Sequence, residues 1–389
     1  MKSVFALICI LTTGVAFAAA PTSPDPADNK KAKELVVLLG SPKYKERERA
    51  ATELIKMGRA AKPALVDGKT NSPDPEVQTR CQQLLPQALA LDLMFRIDRF
   101  LKDTDGKLEH DLPLWKPYRE QIGSDESARK LFAEMLKVNG ALLEMVTEEP
   151  DRLAERVQQR TQEIYQEMFG NGFRGGYRPG AMNVNELCCL LFVMAHPAYK
   201  PAQQDWMFSQ LFTQSSFTSL LKDEKKGATH RKLFYHYLDV RMDENTLHQC
   251  AWMFCNNKMK EGADIIAKAL KDGKASQVYT KATALCCIGT LGGKEHLKVF
   301  EPYLKDDTDV QPVFVGGGAQ RGMVKLRDVA LALTIHLNGK NPKDYGFVMW
   351  QVYPGQILQY HQLGFATTQE RNDAFKKWDE EVKKTEPKK

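Results

Sequence analysis

The 389-residue chain has one long apolar run, and it stands at the very start. Beyond Phe17 no stretch approaches the roughly 20 apolar residues a helix needs to cross a bilayer, so no transmembrane segment is expected after the leader. There is no GxSxG, no HExxH and no GxxxxGK[ST], which leaves hydrolase, metalloprotease and phosphate-binding chemistry without its usual carriers. Gly316-Gly317-Gly318 is glycine-rich, but no strand is expected before it and no lysine stands where a phosphate loop needs one. No CxxC or CxxCH occurs. Cys188-Cys189 and Cys286-Cys287 are adjacent pairs, and neighbours on a helix point about 100° apart, which makes poor metal chelates. The net charge of +6 sits partly in the tail Lys383-Lys384 and Lys388-Lys389 rather than in a basic stripe, so no nucleic-acid partner is expected. Alternating β-type runs are scarce.

What is present begins with a leader. Met1-Lys2 is basic, Val4 to Phe17 is mostly apolar, and Ala16-Phe17-Ala18 supplies small residues for cleavage. This predicts a signal peptide over 1–18, cut after Ala18, with Ala20 as the second choice because Pro21 follows it. Cys9 lies inside the apolar run and not at the cleavage point, which argues against a lipoprotein. The mature protein is therefore expected outside the cytoplasm, periplasmic or secreted. Residues 19–31, rich in Pro, Asp, Asn and Ala, read as a flexible leader.

From Ala32 to Leu85 the chain reads as four short amphipathic helices, punctuated by Gly40-Ser41-Pro42, Gly58 and Asn71-Ser72-Pro73-Asp74-Pro75. Arg47, Ala50, Leu54 and Gly58 share one stripe, and glycine ends a helix by taking a left-handed conformation. Pro86 is expected to kink or end the fourth helix, with another from Gln87 to Phe100. Helix pairs this small cannot bury their apolar faces alone and must stack on neighbours. A comparable rhythm returns after Asp243, through Val278, Ala282, Leu285 and Gly289, and then in a helix read from Val324 through Arg327, Ala330, Leu331 and Ile335. Leu54 and Leu331 are expected in the core. The predicted layout is 32–101 N-terminal repeats, 102–242 an irregular helical region with a Gly/Arg-rich loop at 170–182, 243–340 C-terminal repeats, and 341–389 an extension with a charged helix.

Glu301-Pro302-Tyr303-Leu304, Asp306-Asp307 and Val324-Lys325-Leu326-Arg327-Asp328-Val329-Ala330 resemble, in order, the pieces of a HEAT repeat. Pro63-Ala64-Leu65, Asp74 and Glu76-Val77-Gln78-Thr79-Arg80 are similar. The spacing departs from the family's, since each valine stands three residues before its arginine rather than one. The resemblance covers about 32–88 and 243–340, and the layout looks like that of exported bacterial HEAT-type proteins. It implies an all-α, right-handed α-solenoid of antiparallel helix pairs that binds other proteins. The family pattern has no catalytic residues to transfer and implies no cofactor. The competing reading is a hydrolase or other enzyme with an unrecognised site in the middle region.

Other candidate sites dissolve on spacing. Asp103, Asp105 and Lys107 alternate like a calcium loop, but Lys107 and Leu114 stand where an EF-hand needs oxygen ligands. His230 and His236 are six apart and so face different sides of a helix, and no tight ligand pair accompanies His248. The eight cysteines without Cys9 leave seven, so at least one thiol stays unpaired in a monomer. Neighbouring helices would set Cys250 against Cys286 or Cys287, and Cys250–Cys286 is the bridge the sequence offers. One feature remains. Between Asp307 and Met323 the repeat needs only a short turn, yet the chain supplies Val310, Val313, Phe314, Val315, three glycines, Gln320 and Arg321. Insertions in solenoids tend to emerge on the binding side, so Phe314, Gly316, Gly317, Gly318, Gln320 and Arg321 are the candidate partner-binding residues, as a contact strip or a small hairpin. The alternative is that Phe314 folds back to cap the stack.

Overall fold

The computed structural model describes residues 26–106, 108–169, 182–201, 206–315 and 320–385. The expected signal peptide, residues 19–25 of the leader, most of the Gly/Arg-rich loop and Gly316–Gly318 lie outside the described residues. Helix accounts for 73% and strand for 3%, so the fold is all-α. The chain divides into two units. One takes the described residues up to Lys116 together with Ser124–Ala133, and the other takes Pro117–Gly123 and the chain from Glu134 onward.

In the first unit α1 (Pro26–Leu38), α2 (Tyr44–Met57), α3 (Lys62–Asn71) and α4 (Pro75–Lys102) pack together, α1 against α2 and α3, and α4 against α2 and α3. Local chemistry sets their ends. Gly58 takes φ +57° after α2, and the Asp74 side chain accepts the Glu76 N–H at 2.9 Å to start α4, with Pro75 just inside. Ala50, Ala61, Ala64 and Ala88 keep the helices close around the fully buried Leu39, Leu54 and Leu65. Two sequence expectations are corrected here. The first helix starts at Pro26, inside the segment read as flexible leader, because proline suits a first helical turn whose N–H groups have no partner anyway. The fourth helix neither ends nor restarts at Pro86 but runs through to Lys102. Burial of Cys81, Leu84 and Ala88 around the proline, and of Ile97 and Phe100 beyond it, outweighs the one hydrogen bond the proline removes. A second cluster in this unit sets Phe100 against Trp115 at 4.6 Å, edge to face, with the Arg129 guanidinium 4.1 Å above Phe100.

Further along come α5 (Trp115–Gln121), α6 (Glu126–Glu148, bent at Asn139), α7 (Leu153–Phe169) and α8 (Val184–Ala195). The second unit continues with α9 (Trp206–Phe212), α10 (Ser215–Lys222), α11 (Ala228–Arg241), α12 (Glu244–Asn257), α13 (Gly262–Lys271), α14 (Val278–Leu291) and α15 (Leu297–Phe300). Helix α8, the most apolar in sequence, is buried from Glu186 to Ala195. Arg241 on α11 holds carbonyl oxygens at its end, donating to Met194 O at 2.5 Å, Tyr199 O at 2.9 Å and His196 O at 3.1 Å. Asp243 starts α12 as the sequence predicts, accepting the Thr246 N–H at 2.8 Å. Glu244 reaches the start of α14 and accepts the Gln277 N–H at 2.7 Å. A hairpin of β1 (Asp309–Val315) and β2 (Gln320–Lys325) precedes α16 (Leu326–Leu337), and α17 (Thr368–Thr385) closes the chain. Lys340 and Tyr345 both bond Glu381 on α17, which ties the last helix back to the end of α16. Leu331 is fully buried, as Leu54 is. Val324, read as part of the following helix, lies instead in β2, because Lys325 stays extended and starts α16 with Asp328 accepting its N–H at 3.0 Å.

Candidate functional site

The hairpin occupies the stretch that the repeat pattern does not require. Its register sets Gln311 opposite Val324, Pro312 opposite Met323, Val313 opposite Gly322, Phe314 opposite Arg321 and Val315 opposite Gln320, with an irregularity between Asp309 and Gln311. Of the candidate residues, Phe314, Gln320 and Arg321 therefore fall on paired strands at the hairpin's outer end, while Gly316–Gly318 lie outside the described residues. A strand does precede those glycines, which the phosphate-loop comparison does not expect and the small-hairpin alternative does. Pro312 is tolerated there because its partner position exchanges no ladder bonds. Met323 instead turns its N–H outward to Phe365 O at 3.2 Å, and its carbonyl accepts Arg371 Nη2 at 2.9 Å.

The same contacts dock the C-terminal segment. Only glycine fits at 322, since a Cβ there would come within 2.3 Å of the Phe365 carbonyl oxygen. Val313 and Val324 turn inward and are buried, so one face of the hairpin belongs to the core. Beneath it Arg371 Nε donates to both carboxylate oxygens of Asp328, at 2.9 and 3.0 Å, with Asp328 wholly buried and the Arg371 side chain 5% exposed. Burial pushes the Asp328 carboxyl above the usual range, and the hydrogen bond from Arg371 opposes that rise. At the hairpin's base Lys325 Nζ lies 3.0 Å from both Asp307 and Asp309, and those hydrogen bonds raise the lysine's pKa. Arg327 Nε stands 2.9 Å from Asp307. Helix α17 starts with a reciprocal cap. The Glu370 N–H donates to Thr367 Oγ1 at 3.2 Å, and Glu370 Oε2 accepts the Thr367 N–H at 3.1 Å.

Between hairpin and α17 lies a groove of about 410 Å³, lined by Asp309, Pro312, Gly322, Met323, Lys325, Phe365, Ala366, Thr367, Thr368 and Arg371. Its cations are already held by carboxylates, and its apolar patches are flanked by polar groups. That pattern suits recognition of another chain's side chains. Strand addition is disfavoured: Pro312 interrupts one edge and the Phe365–Arg371 segment covers the other at Met323. Sequence reasoning singled out this stretch, with a small hairpin as one of two forms, but missed Met323, Phe365, Thr368, Asp328 and Arg371. Thr367-x-x-Glu370 is a legible helix-start signal; the pairing of Asp328 with Arg371, 43 residues apart, leaves no local trace.

The other candidates are not assembled into sites. Cys81, Cys188, Cys189, Cys250, Cys255, Cys286 and Cys287 are all buried free thiols. Cys250 and Cys286, the bridge the sequence offers, are both among these free thiols. Among the described residues no three His, Cys, Asp or Glu gather as metal ligands. His230, His236 and His248 are each shifted toward the neutral form by burial. Asp103, the first residue of the discarded calcium pattern, bonds His110 Nε2 at 2.8 Å. No helix among the described residues is long and apolar enough to cross a membrane. Compared with family models, with curated proteins and with solved structures, the chain matches none of them.

Proposed function

We propose that this is an exported helical-repeat protein of HEAT type that binds a protein partner through the β1–β2 hairpin and the groove beside α17. One observation carries the reading: a two-stranded hairpin is inserted between helical elements that need only a turn, and its edges are protected from strand pairing. A loop kept only for packing has no need of an outer end beyond its buried Val313 and Val324. The HEAT resemblance supports the same class of function, since such repeats present insertions as binding elements. The groove's self-compensated charges favour shape and apolar contact over ion attraction.

Tagged protein and a Pro312→Arg/Thr368→Arg variant are used for capture from an envelope extract. Pro312 and Thr368 are exposed, so the thermal midpoint should stay within a degree or two, as for most surface changes. A partner retained by the wild type should be lost. The pair Phe314→Ala and Arg321→Ala should behave alike. A several-degree drop with capture intact would assign the hairpin to packing alone.

A further inference from the structure

The first unit holds a recess of about 180 Å³ whose lining includes Arg59, Arg96, Arg99, Glu109, Asp111 and Leu112. We propose that it binds a small zwitterion of the amino-acid type, with the ligand's carboxylate on Arg99 and its ammonium on Glu109. Its walls are fixed by a chain of close contacts. Gly58 takes φ +57°, and a Cβ there would come within 2.7 Å of Asp92 Cβ, so glycine lets the turn after α2 close onto α4. That approach brings Arg59 Nε to 3.1 Å from Asp92 Oδ2, the same oxygen that accepts Arg96 Nε at 2.7 Å. Both arginines also reach the loop that follows α4. Arg59 Nη1 donates to Asp111 Oδ2 at 2.6 Å, and Arg96 Nη1 to the Asp111 carbonyl oxygen at 2.7 Å. These charge-assisted bonds hold the loop against α4, while Asp92 and Asp111 offset the charges of Arg59 and Arg96.

Two charges remain. Arg99 stands one turn beyond Arg96 on the same side of α4, and Glu109 lies two residues before Asp111 on the loop. Both line the recess, yet among the described residues neither side chain has an ion-pair or hydrogen-bond partner, and they do not pair with each other. A cation and an anion kept apart on one concave surface select a ligand that carries both charges. A lone carboxylate would meet repulsion from Glu109, and a lone amine repulsion from the arginines, at separations too short for salt to screen fully. Leu112, 6% exposed, offers the ligand's carbon atoms an apolar wall. The recess is smaller than the roughly 300–1,000 Å³ pockets of drug-sized ligands, which limits the occupant to a molecule of amino-acid size.

The full mature chain is titrated, with ligand-observed NMR, against each standard amino acid and separately against acetate and methylammonium. At least one amino acid should bind with Kd below about 10 mM, and acetate and methylammonium at least tenfold more weakly. Arg99→Gln and Glu109→Gln should each weaken the bound amino acid at least tenfold. Both side chains are exposed and unpaired, so the thermal midpoint of each variant should stay within a degree or two. Acetate binding as tightly as any amino acid would reduce the recess to a plain anion site and overturn the proposal. So would the absence of binding by every amino acid, or binding that survives both substitutions unchanged.

Discussion

Two connections in this chain join helical elements by different means. Between α3 and α4 the residues Ser72-Pro73-Asp74 suffice, with Asp74 capping α4. Between the 3₁₀ turn Glu301–Lys305 and α16 the chain runs through residues 306–325 and folds a hairpin on the way. Both serve the same mechanical end, because Asp74 and Asp328 each satisfy an N–H at the start of a helix. The longer one adds two things absent from the turn: one wall of a groove and an outer strand pairing. Helix packing therefore does not explain it, and that excess is where recognition is proposed.

The largest effect should separate the two caps. Asp328→Ala leaves Arg371 buried without its carboxylate and is expected to cost about 3–5 kcal/mol, whereas Asp74→Ala should cost about 1 kcal/mol as an ordinary cap loss. Chemical denaturation of both variants measures this, and equal losses would erase the distinction. Next come Leu54→Ala and Leu331→Ala. Both side chains are fully buried, and each truncation should cost roughly 2–5 kcal/mol. A negligible loss at either position would show that its side chain is not packed in the core.

Gly322→Ala sharpens the comparison at the hairpin itself. The added methyl meets the Phe365 carbonyl, and the adjustment should cost about 1–3 kcal/mol. Hydrogen exchange should show the loss around Phe365 and the start of α17, with α1 to α4 unaffected. The smallest expected effect is acid sensitivity. His196, His230, His236, His248 and His336 all belong to the second unit, and burial lowers the pKa of each. Above the ordinary histidine value of 6.5 both folded and unfolded forms are neutral and these groups contribute nothing. Below it the unfolded chain takes up protons first, so stability falls as pH drops through 6.5 toward the folded values. Hydrogen exchange at pH 7 and pH 5 should show the second unit losing protection before the first, and the reverse order would contradict this assignment.

Much of the helical frame was legible because its signals are local. Asp74, Asp243, Gly58 and Pro63 each mark a helix end through their own backbone chemistry, and the stripe of Ala50 and Leu54 shows the buried face. Where tertiary packing overrode a local signal the reading failed. Pro86 reads as a stop but sits in a helix held by burial on both sides, and Val324 reads as helix but pairs with Gln311. The insertion was visible as surplus length. Its groove was not, because Phe365 and Arg371 arrive from a distant segment, and nothing near Met323 in sequence announces them.

The central claim, that the hairpin and its groove are a binding surface, is tested most directly by one paired capture experiment. Wild type and the Pro312→Arg/Thr368→Arg variant, matched in helical content and thermal midpoint, are exposed to the same envelope extract, and retained proteins are quantified by mass. The account predicts at least one protein retained by the wild type and reduced tenfold or more, about 1.4 kcal/mol, in the variant. Equal retention by both proteins, or no protein specific to the wild type, would contradict it.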